Sequence, residues 1–480
     1  MVVTSLAVDL QKKKESNFME ASKKQTIKRV DMLHGSLLDR LLLFALPLAV
    51  SSILQQLFNS VDVAVVGHFA SNQAQAAVGC NGPVINLIIN LFVGISVGAN
   101  VVIASYIGQK EKEKVSQTIH TAMLVAIISG VFLIAVGLLI ARPLLILMDT
   151  PEDVLEYAIR YLHIYFLGMP FIMIYNFGAA ILRSIGDSKR PLYCLLLSGV
   201  VNAGLNLFLV IVFHLDVAGV AIATVISNII SATMVWYFLT KEEGEMQLSY
   251  KKLAVTKSEL VKILRIGIPA GLQGMVFSVS NVCVQSVLNS FGSDAVAGSA
   301  VAINYEYFSF FIISAFNQTA VTFTSQNYGA GQYERCKKIF RLTFISSILF
   351  TICMSLTFVA GRYFFASLFT PDSNVVEYAV TRMSYILLFN FLTNTYEIGG
   401  AALRGIGYSM TPAVLTVFGT CLFRLLWIYT VCRKYHSFEV LLSVYPVSWA
   451  ITGAAVLTAY FVIRKKVFCK KEGLQQSRTE

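Results

Sequence analysis

Long apolar stretches, separated by short polar segments, dominate the chain from Leu41 to Ile463. A helix needs about 20 apolar residues to cross the roughly 30 Å hydrocarbon core of a bilayer. Windows of that length predict twelve membrane-spanning helices, near residues 41–68, 75–105, 118–141, 156–182, 191–213, 217–240, 262–291, 295–326, 339–365, 376–403, 411–432 and 440–463. The pattern therefore predicts an all-α, polytopic membrane protein.

Proline, glycine and polar signals recur in the two halves of the chain at a nearly constant spacing. The matching pairs are offset by 220 to 222 residues: Pro47 with Pro269, Gly108 with Gly329, Pro151 with Pro371, and the segment 182–188 with 403–409. Apolar segments often look alike by chance, but polar, glycine and proline residues rarely match at one offset. We predict two six-helix bundles, related by a pseudo-twofold axis along the membrane normal, that enclose a cleft and rock against each other.

Basic residues lie at alternate ends of the predicted helices. They occur in the N-terminal segment and then at Lys110, Lys112, Lys114, Lys189, Arg190, Lys251, Lys252, Lys257, Arg335, Lys337, Lys338, Arg404 and 464–466. The loops 69–73, 214–216 and 292–294 contain no Lys or Arg. Because positive residues collect on the cytoplasmic side of a membrane, both termini are predicted to be cytoplasmic. This distribution accounts for the net charge of +11 without a nucleic-acid partner.

These features divide the chain into five parts. We predict a cytoplasmic basic tail at 1–37, an N-terminal six-helix lobe at 38–240, a cytoplasmic linker at 241–261, a C-terminal six-helix lobe at 262–464 and a cytoplasmic tail at 465–480. The N-terminal 40 residues contain no apolar segment next to a cleavage site, so a cleaved signal peptide is not expected.

The sequence carries no signature of nucleotide-driven or hydrolytic chemistry. We find no P-loop, nucleophile elbow or metalloprotease motif, so an enzyme is not predicted and no cofactor is expected. The eight cysteines include no Cys-x-x-Cys pair and lie mostly in apolar segments, which favours small hydrophobic side chains over disulfides or metal ligands.

One acidic residue and several amides lie inside the spans of the first half. A charge at membrane depth is costly and is a candidate for function by default. Asp62 lies roughly 30 Å along its helix from Leu41, in the outer half of the bilayer. Polar side chains at matching depth are found on the same helix and on the fifth span: Gln55, Asn59, Asn202 and Asn206. Such a cluster can bind a proton or hold Na⁺ with amide oxygens, and the alternative is an aspartate that only packs helices.

The second half carries a different set of membrane charges, namely Glu306, Glu397 and Arg424. Counted from the cytoplasmic ends of their helices, they lie about 30, 10 and 20 Å deep, respectively. Because Arg424 lies between the two acids, we predict an ion pair with one of them. A structural pair that joins three helices and a role in binding substrate or protons both stay open.

Several short motifs together resemble the multidrug and toxic compound extrusion (MATE) family. They are Leu46-Pro47 followed by Gln55, Asn59, Asp62-Val63 and Gly67, then Gln326-Asn327-Tyr328-Gly329-Ala330, and Leu-Arg-x-Ile-Gly at the ends of spans four and ten. The resemblance extends from Leu38 to Arg464. It implies a secondary active exporter that exchanges organic cations or other amphiphilic drugs for inward-moving H⁺ or Na⁺ by alternating access.

The resemblance also implies a setting and a site. We expect a monomer in the plasma (inner) membrane, with small amphiphilic or cationic substrates, the lipid bilayer as its surroundings and only the coupling ion as a bound metal. In the family, a cluster at the positions of Asp62, Asn202 and Gln55 binds the coupling cation. The second aspartate that the family often has is Asn206 here, and a glutamate on span seven is replaced by Phe277. Charge compensation would thus depend on Asp62, and the second-lobe sodium site is not expected.

The alternative function is a lipid-linked oligosaccharide flippase of related fold. Flippases usually have additional helices and a cationic cavity for pyrophosphate, whereas this sequence predicts twelve spans with Arg424 as the cation at mid-depth. An intramembrane enzyme would need a catalytic group of residues at one depth, and Asp62 with its amides does not form an obvious one.

Overall fold

The computed structural model describes residues 29–148 and 150–476. Most of the predicted basic tail at 1–37, and the end of the predicted tail at 465–480, lie outside those residues. Within the described ranges the chain is helical and contains no strand.

The described part of the first half forms seven α-helices that run back and forth. They are α1 (Leu37–Phe69), α2 (Asn72–Gln109), α3 (Lys112–Leu147), α4 (Glu152–Leu167), α5 (Met169–Ser184), α6 (Lys189–Leu207) and α7 (Asp216–Thr240). A π-helical turn, Phe208–Val212, continues α6.

The second half repeats this order with more interruptions. Its helices are α8 (Lys257–Asn289), α9 (Ser293–Gly329), α10 (Tyr333–Ala360), α11 (Arg362–Ser367), α12 (Ser373–Leu387), α13 (Thr393–Gly405), α14 (Met410–Thr416), α15 (Phe423–Trp427) and α16 (Phe438–Gln476). A 3₁₀ turn, Asn390–Leu392, lies between α12 and α13, and π-helical turns, Val417–Leu422 and Ile428–Cys432, flank α15.

The helices account for the predicted spans. Among the described residues, 11 helical segments are long and apolar enough to cross a membrane, and the bent pair α4–α5 raises the number to up to 12. Each of the twelve predicted windows overlaps one of these segments. The predicted fold class, an all-α polytopic protein, is confirmed.

Two of the irregularities of the helices follow the repeat as well. The span formed by α4 and α5 bends by 52°, where Pro170 lacks the N–H that would bond to the preceding turn. The equivalent span in the second half is interrupted at Asn390–Leu392, and the π turn Phe208–Val212 has its counterpart at Ile428–Cys432. Backbone breaks are thus placed in both halves at equivalent positions, inside otherwise continuous spans.

One face of the bundle is rich in basic residues and is called the basic face here. It is defined by residues 29–36, 108–114, 185–190, 241–256 and 326–338. From this face inward, the halves meet along α2 and α8, where glycines bring the two backbones into contact. A Cβ atom added to Gly94 would lie 2.2 Å from the backbone nitrogen of Gly271, and one added to Gly98 would lie 2.3 Å from the carbonyl oxygen of Ile263. Small residues at such a crossing let helices approach closely in a membrane. The basic-face half of the cleft is therefore closed.

A short segment before α1, residues 29–36, ties the two halves together at the basic face and is called the strap. The Val30 N–H donates to the Gly186 carbonyl of the first half (2.9 Å). Arg335 of the second half donates to three carbonyl oxygens of the strap, at residues 32, 34 and 35. Asn327 donates to the Met32 carbonyl as well (3.0 Å).

The predicted linker at 241–261 packs against the first half. The Ser249 N–H donates to His120 Nε2 (3.0 Å), and the Thr256 N–H donates to the Thr121 hydroxyl (3.0 Å). Glu242 forms ion pairs with Arg29 and Arg190. Helix α8 begins at Lys257, so the last five predicted linker residues are helical.

The contact between the two halves around Gly94 and Gly98 is called the seam here. Because the seam leaves no room for a Cβ atom at Gly98, we predict that a larger side chain there will force the halves apart. We expect Gly98→Leu to expose Thr322, which is 1% accessible and donates across the seam to Asn100 (3.0 Å). In a chain whose native cysteines are replaced by serine, Thr322→Cys should resist a polar maleimide alone and react rapidly when combined with Gly98→Leu.

Gly79→Leu, on the same helix, is the matched control, because a Cβ atom there meets nothing within 4 Å. Equal labelling of Thr322→Cys with and without Gly98→Leu would contradict the assignment of this seam.

Candidate functional site

Asp62 of α1 lies at the centre of a hydrogen-bonded cluster that joins three helices. Its side chain is buried, with 7% exposure, and its Oδ1 accepts a hydrogen bond from Asn206 Nδ2 of α6. Asn206 Nδ2 also donates to Asn202 Oδ1 (3.3 Å), and Asn202 Nδ2 donates to the Thr224 hydroxyl of α7 (3.4 Å). These four residues are called the carboxylate–amide cluster.

The cluster contains a buried negative charge and a buried free acceptor. Among the described residues, no Lys, Arg or His side chain forms an ion pair with Asp62. Asn206 Oδ1 is also buried and accepts no hydrogen bond from a described residue. A carboxylate held in an apolar region is costly unless it is neutralised or paired. The arrangement thus offers carboxylate and amide oxygens to a proton or a small cation.

Two of the five predicted cation-binding residues lie outside the cluster. Gln55 and Asn59 are exposed, and neither forms a hydrogen bond with Asp62 in the described part of the chain. Seven residues along a helix correspond to about 10 Å, so Gln55 is too far along α1 to reach the carboxylate. Asn59 lies one helical turn from Asp62, but its side chain is exposed. Their predicted part in cation binding stays a prediction.

Three residues near Asp62 were not anticipated from the sequence. Thr224 is a member of the cluster, and the Tyr161 and Tyr165 rings of α4 stack 5.9 Å apart, close enough to Asp62 to interact with its charge. Tyrosine is abundant in this chain, so composition gave no reason to single these out. Their spacing of four residues, on one face of a helix that also carries charges, is the signal that was available.

In the second half, Glu306 forms an ion pair with Arg382, which was not predicted. Arg382 Nε lies 2.7 Å from Glu306 Oε1 and Arg382 Nη2 lies 3.1 Å from Oε2, a two-pronged contact. Arg382 is 4% exposed. It lies nine residues into α12, which starts at the face opposite the basic face, about 14 Å deep. In the sequence, depth was counted only from the basic face. The similar depth of Arg382 and Glu306 in the membrane was therefore not recognised.

The predicted ion pair between Arg424 and an acid is wrong. The Glu397 carboxylate accepts from Asn317 Nδ2 (2.5 Å), and Glu306 is held by Arg382. Arg424 instead donates to Asn281 Oδ1 (3.1 Å) and to the Ser448 hydroxyl (3.4 Å). The three residues predicted as one charged network therefore have separate partners.

The site contains no preformed centre for a transition metal. Among the described residues, no group of three or more His, Cys, Asp or Glu side chains is placed to hold a metal ion. Any metal at the carboxylate–amide cluster would be a hard cation held by oxygen atoms, as Na⁺ is.

The Glu306–Arg382 pair predicts a large stability effect. Because Glu306→Gln leaves the Arg382 guanidinium buried without a counter-charge, we expect the free energy of unfolding to fall by about 3–5 kcal/mol. Thermal unfolding of the detergent-purified protein measures this. The double variant Glu306→Gln/Arg382→Met should regain most of the loss.

Glu377→Gln is the matched control, since Glu377 is an exposed acid on the same helix as Arg382. If the double variant were no more stable than Glu306→Gln, the ion pair would not be the source of the effect.

Comparison with known proteins places these features in one family. A family model described as MatE matches the chain twice, at residues 47–208 and 269–430. "Probable multidrug resistance protein YoeA" of Bacillus subtilis (strain 168) is 29% identical over 88% of this chain and 94% of its own length. "Probable multidrug resistance protein NorM" of Thermotoga maritima is 28% identical over 78% of this chain and 82% of its own length.

Solved structures share the fold. The crystal structure of MATE in complex with MaL6 superimposes with a TM-score of 0.86 at 22% sequence identity, covering 93% of this chain and 100% of the solved one. Both matches of the family model begin at a proline near the start of a lobe, and together they cover more than half of the chain. The chain therefore belongs to the MatE family and is a multi-pass membrane transporter rather than an enzyme.

Proposed function

We propose that this chain exports small amphiphilic or cationic drugs in exchange for inward-moving H⁺ or Na⁺. The basic face is cytoplasmic, in keeping with the positive-inside distribution of Lys and Arg, and the protein acts as a monomer in the plasma (inner) membrane. Two of its relatives carry the description "probable multidrug resistance protein", which supports drugs as the substrate class.

The observation that carries the proposal is the buried Asp62 carboxylate, which has no cationic partner within residues 29–148 and 150–476. Its position, among amide groups and next to the free oxygen Asn206 Oδ1, suits reversible binding of one monovalent cation. A lysine or arginine partner would stabilise the carboxylate permanently and would leave nothing for a transported ion to do.

Cation binding at this place is coupled to the position of α1. The hydrogen bond from Asn206 to Asp62 ties α1 to α6, and a proton or Na⁺ on the carboxylate competes with that bond. A bound cation drives a conformational change only as far as it binds one state more tightly than the other. Loosening α1 from α6 supplies such a difference, while separation of α2 from α8 opens the cleft to the cytoplasm.

We predict that Asp62→Asn abolishes ion-coupled efflux while the protein stays folded. The amide has nearly the same shape, but it neither carries a proton nor supplies a charge for Na⁺. In proteoliposomes we expect gradient-driven efflux of ethidium to fall to the level of protein-free vesicles. The gradient is imposed as a proton gradient alone and then as a sodium gradient alone, which identifies the coupling ion.

Asp153→Asn is the control, because it removes an exposed carboxylate from the first turn of α4. Retained efflux by Asp62→Asn under the gradient that drives the wild-type protein would refute the assignment of Asp62.

The variant Asn206→Leu distinguishes coupling to Na⁺ from coupling to H⁺. This change removes the amide oxygen, which is a ligand for Na⁺ but is not needed for a carboxylic acid. If Na⁺ drives efflux, we expect the sodium concentration for half-maximal rate to rise about tenfold or more, a loss comparable to one ion–dipole contact. If protons drive efflux, the rate should change less than it does for Asp62→Asn. A sodium-driven rate with unaltered sodium dependence would exclude Asn206 as a ligand.

A further inference from the structure

Arg424 is a buried cation in the second half, and no acidic side chain in the described part of the chain pairs with it. It lies on α15, about 20 Å from the basic face along its span. Its side chain is only 1% exposed and is among the largest fully buried side chains of the described residues. No described carboxylate oxygen lies within 4.0 Å of its guanidinium, since Glu306 pairs with Arg382 and Glu397 bonds to Asn317.

The hydrogen bonds of Arg424 leave part of its guanidinium unused. A guanidinium has five N–H donors. Within the described residues, Nε donates to Ser448 and Nη1 donates to Asn281, and Nη2 has no acceptor. An edge with free N–H groups at Nη1 and Nη2 remains, and this edge suits an anion with two oxygens.

The rings around Arg424 form an apolar wall beside that edge. The guanidinium carbon lies 4.5 Å from the centre of the Tyr445 ring and 5.2 Å from that of Phe277. Asn281, which accepts the hydrogen bond from Arg424 Nη1, is an exposed residue. A polar side chain within a span faces the bundle interior or a water-filled cavity rather than lipid. A ligand can therefore reach Arg424 past Asn281.

The charges of the second half leave Arg424 in excess. Glu306 compensates Arg382, and Glu397 interacts with the charge of Arg404 seven residues further along α13. The Tyr445 ring also contacts Arg382, at 5.6 Å, so one ring borders two cations, of which Glu306 pairs with Arg382. An uncompensated charge at this depth costs several kcal/mol, which a negatively charged ligand would offset.

The backbone around Arg424 is also irregular. Two π-helical turns, Val417–Leu422 and Ile428–Cys432, flank its helix, and only the second has a counterpart in the first half. Such turns are frequent at functional sites because they widen the helix and redirect side chains. The turn at Val417–Leu422 is therefore a feature of the second half alone, as Arg424 is.

We propose that Arg424, with Asn281 and Ser448, binds the anionic group of a transported amphiphile, whose apolar body packs against Phe277 and Tyr445. The ligand class is an aromatic carboxylate or sulfonate, including zwitterions that also carry a cationic group. The proposal rests on the export function proposed above and adds an anion subsite to it.

The test uses two dyes that differ in one group. Rhodamine B carries a free carboxylate, and its ethyl ester has the same ring system without that charge. Binding to the detergent-purified protein is measured by fluorescence polarisation, and efflux is measured in proteoliposomes. We expect the wild-type protein to bind rhodamine B more tightly than the ester, and Arg424→Gln to weaken rhodamine B by at least about tenfold with little change for the ester.

Two further variants keep the result interpretable. Arg433→Gln removes an exposed arginine just beyond the same segment and should leave both affinities unchanged. Asn281→Leu alters an exposed residue, so it should fold even if Arg424→Gln does not. It should weaken the binding of rhodamine B and leave the binding of the ester unchanged.

The possible outcomes separate the two proposals. An equal loss for both dyes, or an unchanged ratio of the two affinities in Arg424→Gln and Asn281→Leu, would overturn the anion subsite. Absence of efflux of either dye by the wild-type protein under both gradients would overturn the export function instead.

Discussion

A charged side chain inside a bilayer must find a counter-charge, hydrogen bonds or a ligand, because hydrocarbon does not solvate it. The membrane charges of this chain meet that requirement in different ways. Arg382 has a carboxylate, Glu397 has an amide, and Asp62 and Arg424 have only neutral partners. Asp62 and Arg424 lie in opposite halves and have opposite signs, in keeping with the proposed cation at the first and the proposed anion at the second.

The contact between the halves closes the basic-face side of the cleft. Backbone atoms of α2 and α8 touch at Gly94 and Gly98, with no side chain between them to yield gradually. Packed interfaces of this kind are either closed or open, since a small separation loses the dispersion contacts of both surfaces. The alternating access proposed above therefore requires the contact between α2 and α8 to break.

Much of this architecture was predictable, since hydropathy fixes where spans lie and the repeat fixes how they are grouped. Asp62, Asn202 and Asn206 were also found, because polar residues at one depth stand out in an apolar sequence. The partner of Glu306 was missed, since pairing depends on which helices adjoin, and sequence gives only depth. The neutral partners of Arg424 were missed for the same reason. Asn281 and Ser448 reach its guanidinium only because α8, α15 and α16 pack together.

The strap has a consequence for how this sequence can vary. Its ties to the second half are made to carbonyl oxygens of residues 32, 34 and 35, and every amino acid supplies that atom. The exposed side chain of His34 can therefore change with little effect on the tie, whereas Met32 is buried in the core and Gly35 adopts a positive φ (76°) that favours glycine. The number of residues between Val30 and α1 is restricted too, because an insertion would move the carbonyl groups out of register with the guanidinium. The segment is therefore constrained by its length and by Met32 and Gly35, and much less by the residue at position 34.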